Sequence, residues 1–110
     1  MDALAIAASG MQAAQAQMTV AANNIANQNT PGYKAQEVNL VDVADDGGVE
    51  VAGVQSTGQP VDPATEMAKL RQAQFLYGAD AMVVRAADQM YGSLLNVLDT
   101  DNEDSQRYNW

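Results

Sequence analysis

ALAIAASGMQAAQAQMTVAANNIANQNTPGY, residues 3–33, contains no charged side chain, whereas every later stretch of comparable length carries several. Within it Leu4, Met11, Met18 and Ile25 recur every seven residues. Ala7, Ala8, Ala14, Ala21 and Ala22 fill the intervening stripe, the pattern of a coiled-coil-like seam. The spacing predicts a helix from about Asp2 to Asn27. The Asp2 carboxylate complements the positive end of its dipole, and Gly10 costs about 1 kcal/mol relative to Ala. Ile6, Ala13 and Val20 form a second sevenfold set, so the helix shows apolar or small groups on more than one side and calls for neighbours on several faces. A helical bundle inside one domain would supply them, and so would other subunits. A chain of 110 residues has few elements for the first solution.

Asn23, Asn24, Asn27 and Asn29 crowd the end of this helix, where their side chains can bond freed backbone groups. Thr30-Pro31-Gly32-Tyr33 then fits a type II turn, with Pro at its second position and Gly at its third. Two β-favouring runs follow, Glu37 to Ala44 and Val49 to Gln55, separated by Asp45-Asp46-Gly47-Gly48, which predicts a small hairpin. Alone such a hairpin is marginal, so it leans on a helix or on a neighbouring chain.

A second helix is expected from about Pro63, with Asp62 as N-cap, Pro63 in the first turn and Glu66 near the N-terminal dipole. Leu70, Tyr77, Val84, Tyr91 and Leu98 repeat every seven residues. Met67, Ala81 and Leu95 hold companion positions that Gln74 and Asp88 interrupt. Phe75, Met82, Ala86, Met90 and Val97 form a further stripe. The fold class is therefore mainly α: two long antiparallel terminal helices, coiled-coil-like, joined by a small β-hairpin and loop region. In one domain, residues 1–33 form the first helix and its turn, 34–61 the hairpin and loop, 62–98 the second helix and 99–110 an acidic, solvated tail.

Composition narrows the function. A chain this short buries only about 60–65% of its unfolded surface, and Ala supplies much of its apolar content, so partners are expected to contribute stability. A net charge of −9 with five basic residues argues against nucleic acid and against an anionic membrane surface. Residues 1–33 lack the basic start of a secretory signal, the first cation being Lys34, and no apolar stretch is long enough to insert into a membrane.

No catalytic constellation emerges. Without His or Cys there is no imidazole or thiolate for a nucleophile, a base or a metal, and neither a P-loop nor a dinucleotide fingerprint is present. Asp99, Asp101 and Glu103 have the spacing that opens an EF-hand loop. However, Asp104 stands at the turn position where Gly is needed, and Trp110 where the bidentate Glu belongs. Asp42, Asp45, Asp46 and Glu50 read as a solvated hairpin tip. The expectation is a non-enzymatic protein without cofactor or metal.

The stretch Ala21-Ala22-Asn23-Asn24-Ile25-Ala26-Asn27-Gln28-Asn29-Thr30-Pro31-Gly32-Tyr33 resembles the N-terminal signature of flagellar basal-body rod and hook proteins. Glu66, Met67, Leu70, Ala73, Gln74, Tyr77, Ala79, Val84, Ala87, Met90, Leu94 and Leu95 resemble the C-terminal helix of the same family, and the short middle is most similar to that of the small proximal rod proteins. The resemblance implies a structural subunit whose terminal helices line the inner tube of the flagellar axis. It also implies export through the flagellar type III apparatus without a cleaved signal, and a place in the rod that spans the periplasm. The implied partners are copies of itself, other rod and hook proteins and the export apparatus. Leu4, Met11, Met18, Ile25, Leu70, Tyr77, Val84, Tyr91 and Leu98 are then candidate assembly residues, and Asn24, Asn27, Pro31, Gly32 and Tyr33 would shape the exit from the tube. A rival reading is a soluble homodimeric helical adaptor related to flagellar assembly. The first helix, rich in small residues, is expected to fray in the isolated chain.

Overall fold

In the computed structural model, residues 2–45 and 47–108 are described, with side chains through residue 100. The element order is α1 (Ala3–Ala26), β1 (Gln36–Asp42), β2 (Val49–Ser56) and α2 (Pro63–Tyr108). Two long helices thus enclose one antiparallel hairpin, as the sequence implies.

Helix α1 begins where the Asp2 side chain accepts from the Ala5 N–H at 2.8 Å, satisfying one of the free amides of the first turn. It ends at Asn27, whose N–H still donates to the Asn23 carbonyl at 3.0 Å. The chain then turns tightly. Thr30 N–H donates to the Asn27 carbonyl, Tyr33 N–H donates to the Thr30 carbonyl at 3.1 Å, and Gly32 sits at φ +78°, the value a type II turn demands at its third position.

The hairpin pairs Gln36 with Ser56 through Asp42 with Val49, and its register shifts between Asn39 and Leu40, which leaves Ala52 unpaired as a bulge. Val43 N–H donates to the Gly48 carbonyl at 3.0 Å to close the tip. It does not stand alone: Ser9 of α1 accepts from the Val49 N–H at 3.2 Å while its hydroxyl donates to the Ile6 carbonyl at 2.6 Å. A two-stranded ribbon gains the support it lacks by lying on α1.

Helix α2 starts as expected. Asp62 accepts from the Ala64 N–H at 3.2 Å and from the Thr65 hydroxyl at 2.8 Å. It does not stop at Leu98. The helix runs 46 residues to Tyr108, through the segment read as an acidic tail, because nothing after Gly92 is a Gly or Pro that would end it. The side chains from Asp101 onward, together with Asp46 and Trp110, lie outside the described residues, so the loop comparison at Asp99–Trp110 and the Asp46 part of the hairpin-tip cluster go no further.

The helices are antiparallel. Gln17 to Ala21 of α1 share a groove with Glu66 to Gln72 of α2, and Gly10 faces Asp80. Continuing that register places Ala3 level with about residue 87, so about twenty residues of α2, ~30 Å, project past the start of α1. The molecule is accordingly elongated, 80 × 27 × 15 Å.

Candidate assembly surface

The core is built from small side chains. Ala7, Ala13, Ala14, Val20, Ala21 and Asn24 of α1, Glu66 and Ala73 of α2, and Ala35 just ahead of β1 are the buried residues. Alanines on the contact line let two backbones approach, and Gly10 takes this furthest: a Cβ placed there would lie 3.0 Å from the Asp80 Cγ. Ala7, Ala14 and Ala21 form a fully buried sevenfold set. The larger Leu4, Met11, Met18 and Ile25 lie on its flank, half-buried.

On α2 the contact line runs Glu66, Leu70, Ala73, Tyr77, Asp80, Val84 and Ala87, alternating steps of four and three. Leu70 and Val84 are half-buried on it, and Tyr77 lies at its edge. The companions are therefore Glu66, Ala73 and Asp80, one position before the expected Met67, Gln74 and Ala81. Met67 is exposed, whereas Ala73 is 1% and Glu66 3% exposed. A register chosen by hydrophobicity favours Met67, whereas the structure buries Glu66 and Ala73, each one position earlier on the helix.

Tyr91 and Leu98 share the heptad of Leu70 and Val84 yet are exposed, because α1 has ended before α2 reaches them. With Met90, Leu94, Leu95 and Val97 they leave the projecting part of α2 apolar and uncovered. A further exposed pair, Phe75 at 75% and Met82 at 72%, stands on the face of α2 turned from α1.

The signature residues gather at one junction. Asn24, with 0% exposure, donates from Nδ2 to the Gln36 carbonyl at 2.8 Å and accepts at Oδ1 from the Gln36 N–H at 2.9 Å and from the Tyr33 hydroxyl at 3.0 Å. Asn27 donates from Nδ2 to the Asn23 carbonyl at 2.9 Å and accepts from the Thr30 hydroxyl at 3.2 Å, holding the helix end against the turn. Pro31 and Gly32 are exposed at the tip. The Gln36 end of the Asn24 bond and the Ser9 contact to Val49 were not foreseen. One signal existed for Asn24: Gly10, Gln17 and Asn24 repeat by seven, three residues beyond Ala7, Ala14 and Ala21, so it belongs to the buried face.

Among the described residues there is no group of three or more carboxylates placed to hold a metal ion, and no helix is long and apolar enough to cross a membrane. The described residues offer a broad exposed apolar surface for packing.

Two family models match the chain: one described as "Flagella basal body rod protein" over residues 4–34, the other as "Flagellar basal body rod FlgEFG protein C-terminal" over residues 47–97. The flagellar basal-body rod protein FlgG of Agrobacterium fabrum is 56% identical over 43 residues, covering 39% of this chain and 16% of that protein. The matched stretch thus spans about a sixth of its curated relative's length.

Proposed function

This chain belongs to the flagellar basal-body rod proteins, and from that premise we propose that it is a structural subunit whose two helices pack into the axial tube against copies of itself and other rod or hook proteins. The uncovered apolar side chains of α2, Phe75 and Met82 on its outer face and Met90, Leu94 and Leu98 on its projecting part, support this reading most strongly. So many large apolar side chains exceed what a soluble monomer ordinarily shows to water. The candidate assembly residues divide accordingly. Leu70 and Val84 act mainly within the chain, Tyr91 and Leu98 between chains, and Leu4, Met11, Met18 and Ile25 present half-buried flanks to a neighbour.

Export through the flagellar type III apparatus and residence in the periplasm-spanning rod belong to the same proposal. Two observations bear on the place along the rod, and they point apart. The single hairpin between the helices favours the proximal rod, while the second family model carries the FlgEFG name. Fractionating basal bodies into proximal and distal rod decides between them.

Light scattering on the purified chain over a range of concentrations, alone and with added rod proteins, tests the assembly reading. Open growth or mixed assemblies are expected. A particle that stops at two chains supports the homodimeric adaptor instead.

A further inference from the structure

We propose that the groove where α1, β1 and the first turns of α2 meet receives a basic side chain, arginine fitting best, from a neighbouring axial subunit; the source of that side chain rests on the rod-subunit reading above. The groove holds about 280 Å³. That is just under the ~300 Å³ at which pockets for drug-sized ligands begin, and it suits one long side chain rather than a folded peptide.

Glu66 carries the argument. Its side chain is 4% exposed and lines the groove, yet among the described residues its ion-pair partner is the Lys69 ammonium at 3.9 Å, from a side chain that is itself 49% exposed. Charge-assisted bonds to a carboxylate close to about 2.7–2.9 Å, and no described group makes one to Glu66. Among the described residues no fully buried side-chain oxygen lacks a partner, so the Glu66 oxygens open onto the groove, where an incoming donor can reach them. A second carboxylate, Glu37, lines the same groove, and its Oε1 accepts from the exposed Gln55 side chain at 3.0 Å. Two carboxylates against one half-exposed ammonium leave the site short of positive charge.

The remaining walls select the kind of cation. Val20, Ala21 and Val38 form an apolar side against which a methylene stem can lie, and Gln17 and Gln72 offer carboxamide oxygens. A guanidinium can give two parallel N–H groups to Glu66 and still have donors for those oxygens. A lysine ammonium is a point charge with no such fork. The chain's overall charge of −9 also steers it toward basic partner surfaces.

The test uses the full-length chain, isotope-labelled, titrated with Nα-acetyl-arginine amide and followed by amide chemical shifts. Saturable shifts centred on Gln17, Gln36, Glu37 and Lys69 are expected, with Nα-acetyl-citrulline amide, neutral and nearly isosteric, at least tenfold weaker. Glu66→Gln should weaken arginine binding at least tenfold. Lys69→Met, which removes the placeholder cation from an exposed position, should strengthen it severalfold, and this second variant stands even if the first misfolds. Absence of groove shifts, equal response to citrulline, or weaker binding by Lys69→Met overturns the inference. A chain that enters basal bodies but ignores arginine overturns this inference alone, whereas one that binds arginine in the groove but never enters them overturns the rod reading alone.

Discussion

The carboxamide of Asn24 pairs with both backbone groups of Gln36, donating to its carbonyl at 2.8 Å and accepting from its N–H at 2.9 Å. A side chain on α1 thereby serves as the missing strand neighbour for the first residue of β1. Tyr33, two residues past Pro31, donates its hydroxyl to the same Oδ1. Helix end, turn and hairpin are fastened at one point.

Replacing Asn24 by Ala leaves the Gln36 backbone groups and the Tyr33 hydroxyl, whose bonds to Asn24 are part-buried, without their partner. Thermal or urea unfolding should show a loss of roughly 2–4 kcal/mol, and Tyr33→Phe a smaller one, about 0.5–1.5 kcal/mol. Equal stability of Asn24→Ala and the parent would remove the junction's role.

Gly10→Ala sets two effects against each other. Helix propensity favours Ala by about 1 kcal/mol, but its Cβ would press on the Asp80 carboxylate. The atoms it meets are the end of a partly exposed side chain that can swing aside, so the single variant should lie within about 1 kcal/mol of the parent. In an Asp80→Ala background the same change should be stabilising, by about 0.5–1 kcal/mol. A double-mutant cycle reads the coupling between the two positions.

Gly32 has φ +78° with nothing near a prospective Cβ. Gly32→Ala therefore suffers only the backbone strain of a left-handed residue, about 1–2 kcal/mol, and should retain the native spectrum.

Leu94→Ser and Met82→Ser alter side chains that touch little within the chain. Monomer unfolding should change by less than about 0.5 kcal/mol, while sedimentation should show weaker association. Comparable losses in both measurements would mean that these residues are structural within one subunit.

Much of this architecture was legible beforehand because its signals are local. The Thr30–Tyr33 turn follows from Pro31 and Gly32, the cap of α2 from Asp62, and the hairpin from alternating Val and Leu around an Asp-Gly tip. What escaped depended on distant pairing or on close packing. Counting large apolar residues placed Met67 in the seam, whereas the buried positions are Glu66 and Ala73, one step earlier, a shift that depends on how the two helices meet rather than on local pattern. The Leu98 boundary came from the change to acidic composition, yet charge does not stop a helix that meets no Gly or Pro. Asn24 looked like part of a polar helix stop until the hairpin brought Gln36 to it.

The proposed assembly depends on other subunits of the flagellar axis covering the exposed apolar faces of α2. Purified basal bodies from flagellated cells expressing a tagged chain, compared with the Leu94→Asp form, test it most directly. The parent chain is expected in the rod fraction and the variant absent from it, although both fold alike in solution. Equal incorporation of the two forms, or absence of the parent chain from the rod, would contradict it.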